Sequence, residues 1–71
     1  MNESICNAVE DELSLAYVRS GRHLPADNAA VVARSLLESV RFASVYEVRA
    51  AFRKAKAARG VPTRKDLSDA L

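Results

Sequence analysis

Apolar positions along this 71-residue chain recur at helical rather than strand spacing. In the first segment, about residues 2–20, Ile5, Val9, Leu13 and Ala16 succeed one another at three- and four-residue steps, with Cys6 and Tyr17 on the same side. Leu15 and Val18 fall elsewhere on the wheel. The apolar arc is therefore wider than one buried stripe needs, which predicts a helix meeting two neighbours, one of them supplied by a second subunit. Asn2 or Ser4 suits its start, and Gly21 its end. Arg19 and Arg22 lie by its C-terminus, where cations are favoured.

The second stripe is Ala29, Val32, Ala33, Leu36, Leu37 and Val40, with Asp27, Arg34, Glu38 and Arg41 opposite. It predicts an amphipathic helix over about residues 25–42, with Pro25 at the first helical position. The short link from Gly21 to Leu24 implies an antiparallel hairpin with the first helix. Ser44-Val45-Tyr46-Glu47 reads as a capping box. Val45, Val48, Phe52 and Ala55 follow it at helical steps, so the third helix is expected over residues 45–59, stopped by Gly60 and Pro62. Thr63 and Asp66 repeat the cap spacing ahead of Leu67, Ala70 and Leu71. Nine residues do not hold a helix alone, so residues 63–71 are either a docked short helix or a frayed tail. The pattern thus predicts an all-α, compact three-helix arrangement in a single domain, residues 1–71.

Composition changes this picture in one respect. Hydrophobic residues make up 49% and charged residues 28%, a globular balance. Yet below roughly 70–80 residues a single core rarely supplies more than about 3–5 kcal/mol, and such chains add a staple. Cys6 is the only cysteine and His23 the only histidine, so one chain makes neither an intrachain disulfide nor a structural zinc site. Self-association is the staple left, and a homodimer is expected. Its interface is placed on Ile5, Val9 and Leu13 of the wide first arc and on Ala29, Ala33 and Leu36, where small side chains permit close approach. No signal-peptide pattern opens the chain, and no uncharged stretch reaches the ~20 residues a membrane helix requires. No membrane association is expected, and with a lone cysteine the expected compartment is the cytoplasm.

Charge is divided unevenly. Residues 1–33 carry two Lys or Arg against five Asp or Glu, and residues 34–71 carry nine against four. The basic excess concentrates on the third segment. Arg49, Arg53 and Lys56 stand at i, i+4 and i+7, accompanied by Lys54 and Arg59, with Tyr46 outside the apolar arc near the start of the helix. An exposed tyrosine among arginines is the composition of an interface hot spot. Tyr46, Arg49, Arg53, Lys54, Lys56 and Arg59 are therefore the expected partner-binding surface, for an acidic protein surface or for nucleic acid.

Catalytic chemistry finds no constellation. His23 stands alone in a loop, Cys6 lies on an apolar face, and the consecutive Glu10, Asp11 and Glu12 diverge around their helix. There is no metal-ligand spacing and no glycine-rich phosphate loop. No enzyme activity, metal or cofactor is expected. The Ala- and Arg-rich style and small size resemble the early regulatory proteins of bacteriophages. That resemblance implies stoichiometric binding and inhibition of a host protein, which includes a host regulator that itself binds nucleic acid. The alternative is a small DNA-binding regulator. In it the second and third segments form a helix-turn-helix around Phe42-Ala43-Ser44, although the usual glycine of that turn is missing. The stretch Thr63-Arg64-Lys65-Asp66-Leu67-Ser68-Asp69-Ala70-Leu71 resembles the first helix of repressor-type helix-turn-helix proteins. No recognition helix follows it in these 71 residues, so no function is carried over.

Overall fold

The computed structural model describes residues 3–55 and 60–71. The described residues form four helices: α1 (Glu3–Arg19), α2 (Ala26–Ser39), α3 (Val45–Lys54) and α4 (Arg64–Ala70). Helix α1 is central. It packs on α2 and on α3, and α3 carries α4. The Cα radius of gyration is 10.9 Å, close to the ~11 Å of a compact globule of this length.

The first arc behaves as its spacing predicts. Ile5, Val9, Leu13 and Ala16 are buried, joined by Ala8. The second neighbour of α1 is the chain's own α3, which covers the buried stripe but not the positions that widen the arc. Leu15 and Val18 stay exposed, at 47% and 70%. The C-terminus of α1 is closed by Gly21, whose φ of +73° suits a residue without Cβ. The Arg22 N–H donates to the Tyr17 carbonyl at 2.8 Å and the Gly21 N–H to the Val18 carbonyl at 3.0 Å. That pair is a Schellman motif and satisfies two of the otherwise orphaned carbonyls. The Arg22 guanidinium lies 5.3 Å from the Tyr17 ring centroid, a cation–π contact over the same turn. At the other end, Ser4 lies within the first turn of the helix instead of capping it, and Asn2 is outside the described residues.

Helix α2 is shorter than the 25–42 span its stripe predicts. Pro25 is the N-cap, with φ −58° and ψ 147°, and not the first helical residue. The helix stops at Ser39, and Val40 is extended at φ −115° and ψ 125°. In extended backbone successive side chains alternate sides. Val40 and Phe42 therefore both enter the core while Arg41 and Ala43 face solvent. Continued as helix, Val40 and Phe42 would point about 200° apart and only one would be buried. Val32, assigned to the buried stripe, is at its exposed edge at 36%, and Val31 stands on the polar face at 66%.

Helix α3 ends at Lys54, not at residue 59. Ala55 leaves the helix at ψ 81° while staying buried, its N–H still bonded to the Ala51 carbonyl at 2.8 Å. Beyond it, Gly60 takes φ +84° with Ser20 so close that an added Cβ would sit 3.1 Å from the Ser20 Cβ. Pro62 and Leu67 are buried, Leu67 completely. Residues 56–59 lie outside the described residues. The Ser44 hydroxyl accepts from the Glu47 N–H at 3.2 Å, but the return bond expected from the Glu47 side chain is not made. The box is complete at α4 instead. Asp66 N–H donates to the Thr63 hydroxyl at 3.3 Å, and Thr63 N–H to the Asp66 carboxylate at 2.9 Å. Of the two alternatives for residues 63–71, the docked helix is the one formed. Arg64 adds a side-chain bond to Ser39 Oγ at 3.1 Å, tying α4 to the end of α2.

Candidate interaction surface

The six residues assigned to a dimer interface are spent inside the single chain. Val9 and Ala33 are 0% exposed, and Ile5, Leu13, Ala29 and Leu36 are buried with them. Their packing partners are the other helices of the same molecule. The large apolar side chains that the core leaves exposed include Leu15, Val18, Val31 and Tyr46.

The described residues assigned to partner binding are on the outside. Tyr46 is 81% exposed, and Arg49, Arg53 and Lys54 are all exposed. Val48 and Ala51 bury the opposite side of α3, with Val45 and Phe52 half-buried beside them. Tyr46, Arg49 and Arg53 stand at i, i+3 and i+7, so they share one face two turns long. Lys54 flanks it. Lys56 and Arg59, the remainder of the expected surface, lie outside the described residues. Among the described residues no carboxylate oxygen comes within 4.0 Å of Arg49 or Arg53, so neither guanidinium is satisfied by a direct ion pair.

One feature of this face had no direct signal in the sequence. Helices α1 and α3, with Ala55, Gly60 and Pro62, line an open groove of about 930 Å³. Arg49, Phe52 and Arg53 line its α3 side, and Asp11, Glu12 and Leu15 its α1 side, with Arg19 toward the end. Asp11 and Glu12 diverge around α1, as consecutive residues must, but Leu15 falls between them on the wheel and all three border the same space. The off-arc position of Leu15 was the only clue, and without the tertiary pairing of α1 with α3 it did not say what Leu15 faces.

The remaining candidates are scattered. His23 is exposed in the loop before α2, and Cys6 is half-buried on α1. Among the described residues no group of three His, Cys, Asp or Glu side chains is placed to hold a metal ion. No helix among them is long and apolar enough to cross a membrane. The helix-turn-helix alternative rests on α2 and α3 and the connection between them. Here the principal contacts of both are with α1, and Phe42 in the connection is turned into the core. Comparison with known proteins found no matching family, no matching curated protein and no matching solved structure.

Proposed function

We propose that this chain is a non-enzymatic binding protein that seats an acidic surface of another protein on α3 and thereby modulates or inhibits it. The observation that carries the reading is the α3 face itself: an 81%-exposed tyrosine beside two arginines that meet no carboxylate among the described residues. A large aromatic left in water gains on contact, and Arg with Tyr is the pairing that dominates binding energy at protein interfaces. Guanidinium groups take carboxylates in bidentate geometry and steer encounter with an acidic patch. The composition resembling bacteriophage early regulators extends the proposal to a host regulatory protein as the target, bound stoichiometrically in the cytoplasm. A homodimer belongs to the same reading, with its contact on the exposed surface.

The test compares capture of native-host proteins by the wild type and by a Tyr46→Ala, Arg49→Ala, Arg53→Ala variant. The expected result is a specific protein retained by the first and lost by the second, with helicity equal in both. Equal capture by the two refutes the assignment. Gel shifts with random duplex DNA at low salt supply the contrast. Binding to DNA that falls steeply with salt, with no protein captured, would replace the protein partner with a phosphate backbone.

A further inference from the structure

We infer that the α1–α3 groove is a self-complementary face that docks a second copy of this chain, acidic wall against basic wall. The groove has two unlike sides. Asp11 and Glu12 stand on the α1 side, with Arg19 toward its end; Arg49 and Arg53 stand on the α3 side, and Leu15 and Phe52 give each side an apolar residue. A symmetric dimer uses the same patch on both copies, so the patch must complement itself. A two-fold axis running along this groove does that. It sets the α1 wall of one copy over the α3 wall of the other, and the reverse contact forms at the same time. Each dimer then joins two sets of carboxylates to two sets of guanidiniums that lack an ion-pair partner among the described residues of one chain. Leu15 and Phe52 from both copies lie along the middle, with charges around them, the usual anatomy of an interface. A two-fold axis across the groove would instead place carboxylates on carboxylates, so the charge pattern selects one orientation.

The occupant is a second copy because the walls match one another. A purely acidic partner meets the α3 side and Arg19 favourably but is repelled by Asp11 and Glu12 in the stretch facing Leu15. Tyr46 does not line the groove. An acidic partner on Tyr46, Arg49 and Arg53 and a second copy in the groove share two arginines and so compete. Self-association is the readout here, so its outcome is independent of whether an acidic protein partner exists.

The experiment is a charge swap followed by sedimentation velocity at low salt. One variant carries Asp11→Arg and Glu12→Arg; the other carries Arg49→Glu and Arg53→Glu. The wild type is expected to form a dimer that weakens with salt. Each variant alone places like charges across the interface and is expected to lose self-association by at least about tenfold. Mixed in equal amounts, the two variants restore both contacts and are expected to form a 1:1 heterodimer. If either double variant loses helicity, the single exchanges Asp11→Arg and Arg49→Glu repeat the test. A wild type that stays monomeric up to about 1 mM overturns the inference. So do variants that still dimerise alone, or folded variants that fail to pair when mixed.

Discussion

At Gly21 and Gly60 the backbone enters the left-handed region, and the two sites differ in their surroundings. Gly21 has open space, whereas Gly60 faces Ser20. Gly21→Ala is therefore expected to cost about 1–2 kcal/mol from backbone strain alone. Gly60→Ala adds a contact tighter than side chains normally make and is expected to cost more. Urea denaturation of the two variants side by side checks the order, and equal losses would mean Ser20 yields freely. Asp66 has a different sensitivity. The Thr63 N–H donating to its carboxylate, then the Thr63 hydroxyl, hold its pKa below the ordinary value, with Lys65 assisting. A lowered folded pKa contributes stability that is present above the unfolded value, near 3.9, and is lost as pH falls through the folded value. Amide protection factors in α4, corrected for the intrinsic pH dependence of exchange, should fall below about pH 4. NMR titration should find Asp66 ionising below an unstructured aspartate, and a midpoint at or above it would remove the capping explanation.

Among elements, α4 depends most on a single anchor. Seven residues do not sustain a helix in water, so its order comes from the Thr63–Asp66 box and from Leu67, which is 0% exposed. Leu67→Ala is expected to cost about 2–5 kcal/mol and to release α4 first. Hydrogen exchange should show protection falling across residues 64–70 before it falls in α1. Uniform loss along the chain would instead make α4 part of one cooperative unit with α1 and α3. On α2 the opposite outcome is expected at Val31, whose 66% exposure places it off the core. Val31→Lys should change stability by less than about 0.5 kcal/mol, as surface substitutions do. A larger loss in thermal unfolding would show that Val31 is covered in solution.

On the scale of the whole molecule, stability is small. At about 0.05–0.15 kcal/mol per residue, a chain of this length holds roughly 4–11 kcal/mol. Anything that binds only the folded form therefore shifts the melting temperature visibly. If a second copy binds through the α1–α3 face, the melting temperature should rise with protein concentration at low salt and lose that dependence in about 0.5 M salt, where the Debye length falls to a few ångströms. Calorimetry over a hundredfold concentration range measures it. A concentration-independent melting temperature at low salt contradicts association through charged walls.

Periodicity determined the helical class, the existence of all four segments, the residues facing the core along α1, and the Thr63–Asp66 cap. These depend on neighbours within a turn or two, where 3.6-residue geometry and side chain-to-backbone bonds operate. It also placed Tyr46, Arg49 and Arg53 together on α3, because residues at i, i+3 and i+7 share a face wherever the helix goes. The tertiary structure decided where helices stop. Val40 and Phe42 leave α2 because two side chains an even step apart reach the same core only in extended backbone. Ala55 leaves α3 although its neighbourhood favours helix, and its methyl stays on the core, where Leu67 is also buried. Tertiary packing also decided what the wide arc of α1 was for. Its second neighbour is α3, so Ile5, Val9 and Leu13 are internal and Leu15 is left on the rim of a groove. That Asp11 and Arg49 border the same space is the result of a pairing between residues nearly forty positions apart, a contact that no local spacing encodes.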